Sequence, residues 1–379
     1  MQRVLALRWR PGEPRGRARA EQLSERALAV RPWTQVVNRR GVRILHCSCQ
    51  ADPHSLFLPD QTGLVVGPLF HALDQAKGAQ PVALPNAAQA HQWCISGPET
   101  FVRNFWGSYL ALLHDREHDV LYVLRDPAGA RPCFHAFIDG VDVVFTHAED
   151  FVALGGELEV DVDWLSAFIA QPRHVSARTA IKGVREVTSG QCLSLKRSES
   201  IVVSAWRPVG LGPCFGVEDF ETAAQGLRAV VEYSAGAWGQ SAGRILHRLS
   251  GGLDSSVALA ALRAGAPDCE IVCLNERPSG LPEGDERIFA RAAAANAGVR
   301  LIELELPAEG VDFTRLETVE LSAKPSLSQL SFAEPRWCDV VKGEGFDFIS
   351  AGKGGDQIFQ RSPPALAVAD AACDGAPWR

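Results

Sequence analysis

The pattern of apolar and polar positions changes character about half-way along the chain. Up to about residue 205, short apolar or alternating runs predominate, and they are separated by turn residues such as Pro127-Ala128-Gly129 and Asp139-Gly140. Six of these runs predict strands: Val4–Arg8, Val42–Cys47, Tyr109–Leu113, Val120–Leu124, Val141–Phe145 and Cys192–Leu195. Because few long helical patterns interrupt them, we expect a sheet sandwich or a layered α+β unit.

A different pattern follows residue 208. Residues 208–213 have the composition of a linker, and Val217–Trp238 has helical spacing. Strands and helices then alternate, with strands at Ile245–Leu249, Glu270–Leu274, Arg300–Leu306 and Phe346–Ser350 and helices at Asp254–Ala264 and Asp285–Asn296. This alternation predicts a parallel sheet with crossover helices and a ligand site at the carboxyl ends of its strands. We therefore expect two domains, residues 1–208 and residues 209–379.

Composition narrows the class of protein. The 379 residues suffice for two folded domains, and 46% apolar with 22% charged residues is not a disordered composition. A net charge of −7 argues against a general nucleic-acid binder. No signal peptide is recognisable, and no stretch approaches the roughly 20 apolar residues that cross a bilayer. The ten cysteines include no CxxC pair, so their spacing predicts neither a zinc site nor a disulfide framework. Because no export signal is recognisable, we expect reduced thiols in a cytoplasmic protein.

Positive charge is concentrated near the N-terminus. Residues 1–45 contain eleven Arg and three acidic residues. Between residues 15 and 19, three arginines alternate with small residues, which favours a solvated surface loop over a basic arm for an acidic partner. His114 and His118 are four residues apart between two predicted strands, and we interpret both as members of a solvated turn rather than as metal ligands.

One segment between a predicted strand and a predicted helix has the chemistry of a phosphate-binding loop. It reads Ser250-Gly251-Gly252-Leu253-Asp254-Ser255-Ser256. Its glycines let the backbone approach phosphate oxygens, while the serine hydroxyls and the N-terminus of the helix supply donors. Asp254 on its own would repel phosphate, so we expect Mg²⁺ between the carboxylate and a pyrophosphate group. The segment lacks the GKS or GKT ending of a Walker A motif, and a glycine turn with a helix cap is the simpler alternative.

This segment resembles the SGGLDSS signature of the N-type ATP pyrophosphatases, which include the asparagine, GMP, NAD and argininosuccinate synthetases. The resemblance implies that ATP is cleaved between its α- and β-phosphates, that a carboxylate is adenylated, and that AMP leaves when a nucleophile attacks. ATP and Mg²⁺ are the implied cofactors. The implied nucleotide-binding residues are Leu249, Ser250, Gly251, Gly252, Asp254, Ser255, Ser256, Leu274 and Gly352.

A second glycine-rich segment, Ala351-Gly352-Lys353-Gly354-Gly355-Asp356, is similar to the SGEGxD part of a loop in the asparagine synthetases. The resemblance implies that the Gly352 backbone contacts the nucleotide and that Asp356 binds Mg²⁺ together with Asp254. A loop-capping role for Asp356 is the alternative. Lys353 stands where asparagine synthetases have Glu. It is the candidate catalytic residue, because a lysine can neutralise phosphate or polarise an acyl carbonyl, and a surface substitution is the alternative.

The N-terminal half carries a third resemblance. Arg125-Asp126-Pro127-Ala128-Gly129 is similar to the RDxxG turn of the amidotransferase-like domain that precedes the synthetase, and we interpret Asp126 and Gly129 as structural. The implied fold is an α+β, β-rich amidotransferase-like (Ntn-type) domain followed by an α/β parallel-sheet ATP pyrophosphatase domain. Glutamine-hydrolysing members need Cys directly after the initiator methionine, whereas this chain begins Met1-Gln2-Arg3, so we expect no glutaminase activity.

Lasso-peptide isopeptide-forming cyclases and β-lactam synthetases also lack that cysteine. Of the two, the sequence around Phe105-Trp106-Gly107 resembles the cyclases more closely. The resemblance implies macrolactam formation, in which an adenylated Asp or Glu side chain of a precursor peptide is attacked by the peptide's N-terminal amine. A leader-binding protein and a protease are the implied further partners. The alternatives are an asparagine synthetase that aminates aspartate and a non-catalytic ATP- or peptide-binding remnant. Because only 23 residues follow Asp356, we interpret the second domain as truncated and lacking its C-terminal helical part.

Other polar residues lie close to the predicted strand ends. Asn275 and Glu276 follow the strand Glu270–Leu274 and are candidates to line the pocket. Asp285 and Glu286 open a predicted helix, where capping is favoured over contact with a substrate amine or Mg²⁺.

Overall fold

The chain forms two compact units in a computed structural model. The first comprises residues 1–223 and 312–332, and the second comprises residues 224–311 and 333–379. The structure describes residues 2–48, 54–75, 78–171, 176–197, 199–207, 219–278, 285–306, 321–325 and 343–355. The predicted domain boundary between residues 208 and 209 lies outside the described residues, as do Asp356 and the residues after it.

The described part of the first unit is rich in strands. Its strands are β1 (Gln2–Trp9), β2 (Thr34–Arg39), β3 (Val42–Ser48), β4 (Ser55–Leu58), β5 (Gly63–Val66), β6 (Leu69–His71), β7 (Phe105–Gly107), β8 (Leu110–Asp115), β9 (Val120–Arg125), β10 (Phe134–Ile138), β11 (Val141–Phe145), β12 (Arg185–Glu186), β13 (Gln191–Leu195) and β14 (Ser200–Ser204). Its helices are α1 (Pro14–Val30), α2 (Ala87–Ile95), α3 (Pro98–Asn104), α4 (Ala148–Ala153) and α5 (Val162–Ala170), with short 3₁₀ turns at Pro59–Gln61 and Leu73–Gln75.

Two six-stranded sheets form the centre of this unit. Their strand orders are β12-β10-β11-β1-β3-β2 and β14-β13-β9-β8-β5-β4, and their neighbouring strands are antiparallel. The two-residue alternation of β1 explains how they pack. Val4 and Ala6 belong to one buried cluster that includes side chains of the other sheet, whereas Leu5 and Leu7 belong to a cluster on the opposite face.

Helices cover the outer faces of both sheets. Ala20, Leu23 and Ala27 of α1 pack with β1 side chains, and Ala90 of α2 and Phe101 of α3 pack with the outer face of the second sheet. The unit is therefore layered helix–sheet–sheet–helix. The β-rich α+β prediction and the six predicted strands are confirmed to within a few residues at their ends.

The prediction of a solvated loop around residues 15–19 is wrong, because these residues lie in the first turns of α1. Pro14 stands at the first helical position, where its missing N–H costs nothing. The alternating arginines hid the apolar spacing that begins at Ala20, and this spacing is what holds the helix against the sheet. Arg17 also pairs with Glu21 one turn later.

The second unit alternates strand and helix. Its described elements are α6 (Phe220–Gln240), whose first residues precede the division between the units, β15 (Arg244–Arg248), α7 (Leu253–Gly265), β16 (Glu270–Pro278), α8 (Arg287–Ala297), β17 (Arg300–Leu306) and β18 (Phe348–Ala351). The strands form one parallel sheet in the order β17-β16-β15-β18, which confirms the predicted α/β architecture. The predicted truncation of this domain remains untested.

The strand order reverses beside β15. The chain runs outward from β15 through β16 to β17, and β18 lies on the other side of β15. In an open parallel sheet, the crevice at the carboxyl ends of two strands that diverge in this way is the usual ligand site. The loops that follow β15 and β18 are the two glycine-rich segments identified in the sequence.

Two further observations concern membrane-spanning helices and cysteine side chains. Within the described ranges, no helix is both long enough and apolar enough to cross a membrane. The six described cysteines are buried and free of disulfides. Burial raises the pKa of Cys94, Cys133, Cys192 and Cys273 to about 12, so these thiols are structural rather than nucleophilic.

Candidate functional site

The first glycine loop is fixed to the end of the parallel sheet by backbone and amide hydrogen bonds. The Leu249 amide donates to the Leu274 carbonyl over 2.9 Å, which extends the pairing of β15 with β16. The side-chain amide of Asn275, itself buried, donates to the carbonyls of Leu249 (2.8 Å) and Ser250 (3.2 Å). Asn275 thus holds the point where the chain leaves the sheet. Leu274, one of the predicted nucleotide contacts, is buried, and its carbonyl accepts the Leu249 amide.

The loop itself turns through Gly251 and Gly252 into α7. Gly251 has a φ of +100°, and a Cβ there would lie 2.6 Å from the Glu286 carbonyl oxygen, so glycine is required on both counts. The hydroxyls of Ser255 and Ser256 donate to the Gly252 carbonyl over 3.1 and 2.9 Å. These bonds close the loop tightly on the first turn of the helix.

The N-terminus of α7 has no side-chain cap. The helix begins at Leu253, and its cap residue Gly252 has no side chain to bond the first amides. The first backbone N–H groups of a helix have no partner within the helix, and their combined dipole favours negative charge. Ser250 adds an exposed hydroxyl 3.1 Å from that of Ser255. The loop therefore presents several donors to one point, as phosphate recognition requires.

A buried histidine is hydrogen-bonded to the first turn of the helix that follows the loop. His247 of β15 is fully buried, and its Nε2 donates to the Ser255 carbonyl over 2.9 Å. Its Nδ1 accepts from the Ser350 hydroxyl of β18 over 3.1 Å. Burial lowers the pKa of His247, which agrees with a neutral ring that donates at one nitrogen and accepts at the other. The sequence analysis missed this residue, although a polar side chain inside an apolar strand was a signal.

The second glycine loop lies directly against the first. β15 and β18 pair in parallel with Arg248 opposite Ala351, so their loops leave the sheet side by side. A Cβ on Gly352 would overlap the Ser255 backbone nitrogen, and a Cβ on Gly355 would overlap the Asp254 carboxylate. Two segments a hundred residues apart therefore meet where the sequence predicts, and the glycines are what permit the contact.

Asp254 is the described residue best suited to hold a metal ion. Its side chain lies at the start of α7 beside Gly355, and it makes no ion pair with a described basic side chain. An unneutralised carboxylate at a phosphate-binding helix end fits a Mg²⁺ that bridges carboxylate and phosphate oxygens. No group of three potential ligands occurs in the described ranges, and Asp356, the predicted second ligand, lies outside them.

The remaining predicted residues are placed as follows. Lys353 is exposed on the second loop and makes no ion pair within the described part of the chain. Glu276 pairs with Arg248 rather than facing the loops (2.6 Å). Asp285 accepts hydrogen bonds from Arg287, which holds the pKa of that carboxyl down to about 2. Asp285 also accepts from the Arg287 amide at the start of α8 (3.2 Å), as the capping interpretation predicts, whereas Glu286, the cap residue, makes no side-chain cap bond.

The contacts of the Arg125–Gly129 turn in the first unit are structural. The Asp126 carboxylate is buried and accepts from the Gly129 amide over 2.8 Å, and Arg125 donates to the carbonyls of Gly129 (2.7 Å) and Val187 (2.8 Å). Gly129 has a φ of +64° and packs against Ser189. These bonds join the end of β9 to neighbouring chain, which supports the structural interpretation of Asp126 and Gly129.

The second unit is an α/β domain in which two glycine loops meet at the carboxyl ends of the strands, the usual place for a nucleotide site in such domains. A comparison with known protein families narrows the class of protein further. Residues 231–370 match the family model described as asparagine synthase. This match covers both glycine loops and supports assignment of the segment to the asparagine synthase family. It does not distinguish between substrates within that family.

Comparisons of whole chains are less informative. No curated protein sequence matches this chain. It is similar to the allosteric regulatory enzyme of purine biosynthesis, with 8% identity, a TM-score of 0.34, and coverage of 92% of this chain and 89% of that chain. It is also similar to glutamine phosphoribosylpyrophosphate amidotransferase from B. subtilis in complex with ADP and GMP, with 9% identity, a TM-score of 0.30 and coverage of 92% and 90%. TM-scores this low define neither the fold nor the activity of this chain.

Proposed function

We propose that this protein is an ATP-dependent ligase of the asparagine synthase type, which adenylates a carboxylate and joins it to an amine. The observation that carries the proposal is the contact between the two glycine loops at the strand-order reversal, with Gly352 and Gly355 packed on Ser255 and Asp254. The family match over residues 231–370 points to the same activity.

The proposed reaction has two steps. A carboxylate oxygen attacks the α-phosphorus of ATP, and the bond from that phosphorus to the oxygen bridging to the β-phosphate breaks, so pyrophosphate leaves with the electron pair. The amine nitrogen then attacks the acyl carbon, the C–O bond to AMP breaks, and a proton leaves the nitrogen. The products are one amide, AMP and pyrophosphate.

In this proposal, some of the described residues bind ATP and others orient the loop that binds it. The first amides of α7 and the Ser250 hydroxyl hold the pyrophosphate portion of ATP in place, because they converge on one anion. Asp254 would hold Mg²⁺, which would supply charge neutralisation at the phosphates. His247 and Asn275 are positioning residues that fix the loop by hydrogen bonds to its backbone. Lys353 is free to reach toward the acyl group from the second loop.

For the substrate, we propose an Asp or Glu side chain of a precursor peptide, closed onto the peptide's own N-terminal amine as in lasso-peptide cyclases. A leader-binding protein and a protease would then deliver the peptide. The support for this finer proposal is the sequence resemblance alone, so it is separable from the proposal of an ATP-dependent ligase.

The test uses the full chain with ATP, Mg²⁺ and candidate precursor peptides, with pyrophosphate release measured alongside peptide mass. We expect pyrophosphate release and the loss of one water mass from the peptide. Formation of asparagine from aspartate and ammonium without peptide would contradict the proposed peptide substrate and would support the proposed ligase activity. ATP binding with neither pyrophosphate nor any amide product would contradict the ligase proposal and leave a nucleotide-binding protein.

A further inference from the structure

A second concave site lies in the first unit, at one end of its two sheets. It is a cavity of about 680 Å³, within the range of small-molecule pockets. The residues that line it come from the end of β1 and from three hairpin turns, and they are Arg10, Pro11, Gly12, Arg39, Arg40, His114, Arg116, Asp119 and Arg197. None of them belongs to the glycine-loop site or to the second unit.

Antiparallel pairing explains why these residues meet. Arg8 near the end of β1 and Arg39 at the end of β2 both lie opposite Val42 of β3. In the second sheet, Asp115 pairs with Val120 across the β8–β9 turn, and Leu195 pairs with Ser200 across the β13–β14 turn. Each hairpin therefore turns at the same end of the unit, and the polar turn residues collect there.

The cavity has a large excess of positive charge. Its lining includes five arginines and one carboxylate, Asp119. That carboxylate is already committed, since Arg197 lies 2.7 Å from it and the buried Arg8 lies 3.1 Å from it. These two contacts keep the pKa of Asp119 below its usual value despite partial burial. Asp119 therefore has no charge left to neutralise the other arginines.

The four remaining arginines have no carboxylate partner in the described part of the chain; they are Arg10, Arg39, Arg40 and Arg116. Arg39 and Arg40 donate only to the backbone carbonyls of Asp60 and Pro11. Like charges gathered without counter-charges repel one another, and a bound anion would remove the repulsion.

His114 is an independent sign of a ligand. The prediction of a solvated turn is wrong for this residue, because it lies in β8 and is only 5% exposed. Neither ring nitrogen has a hydrogen-bond partner among the described residues, and Nε2 lies 3.8 Å from Asp119 Oδ1, beyond hydrogen-bond distance. Buried polar groups are nearly always satisfied, so an unpaired imidazole on the wall of a cationic cavity indicates a missing partner.

We propose that this cavity binds the phosphate chain of a di- or triphosphate, either free or as part of a nucleotide. Guanidinium groups match pairs of phosphate oxygens, and several adjacent guanidiniums need more negative charge than one carboxylate supplies. The His114 imidazole completes the set with one further hydrogen bond. None of the described residues that line the cavity is a Phe, Tyr or Trp that could stack on a base. The phosphates therefore supply the affinity.

The test is calorimetric titration of the full chain with inorganic triphosphate, and separately with ATP, in the absence of Mg²⁺. The informative variant is Arg10→Gln with Arg116→Gln, because neither side chain has an ion pair to lose among the described residues. The matched control is Arg103→Gln with Arg185→Gln, which removes the same charge from exposed positions of the same unit outside the cavity. We expect the cavity variant to bind triphosphate at least about tenfold more weakly and the control to bind as the parent does.

His114→Phe gives a second readout that a purely structural role would not produce. It should weaken triphosphate binding about fivefold or more while leaving the unfolding temperature unchanged or raised, since no internal hydrogen bond is lost. The two ligands are compared in the Ser250→Ala, Ser256→Ala background, so that the glycine loop contributes little to binding. There, binding of inorganic triphosphate within tenfold of ATP would assign a free oligophosphate to the cavity, and much tighter binding of ATP would assign a nucleotide.

Three results would overturn the inference. The first is that the parent chain does not bind triphosphate at millimolar concentration. The second is that binding weakens equally in the cavity variant and the control variant. The third is that Ser250→Ala with Ser256→Ala abolishes binding while the arginine changes leave it unaffected. The last result would place the anion at the glycine loop alone.

Discussion

The parallel sheet and the antiparallel sandwich hold their polar groups at strand ends in different ways. In the parallel sheet, all strands end at one edge, so two loops distant in sequence meet and the donors are backbone amides and hydroxyls of the Ser250–Ser256 loop. In the sandwich, hairpin turns gather long side chains, and the donors are arginines around His114.

The buried histidine of each unit illustrates the contrast. His247 has both ring nitrogens bonded, one to the Ser255 carbonyl and one to the Ser350 hydroxyl. His114 has neither nitrogen bonded among the described residues. Burial lowers the pKa of both. The comparison teaches that a fully bonded buried histidine supports the backbone of a site, whereas an unbonded one on a cavity wall is available to a ligand.

The largest expected effect comes from separating the two glycine loops. Gly352→Ala places a methyl group on the Ser255 backbone nitrogen, and because neither backbone can yield easily, the loops must shift. We expect ATP–pyrophosphate exchange to fall about a hundredfold, as misplacement of catalytic groups by about 1 Å does in enzymes generally. Gly343→Ala, where a Cβ meets nothing within 4 Å, should leave exchange unchanged. Equal exchange rates in the two variants would show that contact between the loops is irrelevant.

Substituting the two histidines should give opposite results for stability. His247→Phe removes two hydrogen bonds made from a buried position, one to the Ser255 carbonyl and one to the Ser350 hydroxyl, so we expect a loss of about 1–3 kcal/mol in the free energy of unfolding, measured by hydrogen exchange of β15 amides. His114→Phe loses no hydrogen bond and should not lower the stability of β8. A loss of similar size at both positions would remove the distinction between the two histidines.

A smaller effect is expected at Lys353. Since this side chain is exposed and unpaired among the described residues, Lys353→Met should not destabilise the second unit. If it acts on the acyl group, kcat should fall about tenfold with little change in the KM for ATP, because removing one electrostatic contact to a developing charge costs on that order. Lys353→Arg should restore part of the rate. An unchanged kcat in Lys353→Met would identify the lysine as a surface substitution.

The smallest effect is a pH dependence. Because burial holds the folded-state pKa of His247 below its usual 6.5, the unfolded chain binds this proton below pH 6.5 while the folded chain does not. The contribution of neutral His247 to the free energy of unfolding is therefore fully present above pH 6.5. It is lost as the pH falls, with a slope of at most about 1.4 kcal/mol per pH unit. Unfolding of the second unit at pH 7.5 and 5.5 should show a smaller decrease for His247→Phe than for the parent. An identical decrease would mean that other groups account for it.

Much of this organisation could be predicted from local sequence. Alternating apolar runs identified the strands of the sandwich, and strand–helix alternation identified the parallel sheet with its loop after β15. The apolar runs sufficed there because the central strands, such as β1 and β8, are buried on both faces and are therefore apolar along most of their length. The apolar pattern failed at α1, where arginines in the first turns masked the apolar face that begins at Ala20.

The supporting residues of the sites could not be predicted in the same way. His247 contacts Ser350 a hundred residues later, and this contact depends on β18 pairing with β15 rather than with β17. His114 lies on the cavity wall because the end of β1 and three hairpin turns from the two sheets meet there. Such contacts follow from sheet order, and local spacing contains no information about sheet order.

The central claim is that the Ser250–Ser256 loop and the Gly352–Gly355 loop form one ATP site. Hydrogen exchange of the full chain, measured with and without ATP and Mg²⁺, tests it most directly. We predict that ATP slows exchange in residues 250–256 and 352–355 together, and that Gly352→Ala abolishes the protection of both segments. Protection of only one segment, or of neither, would contradict the claim.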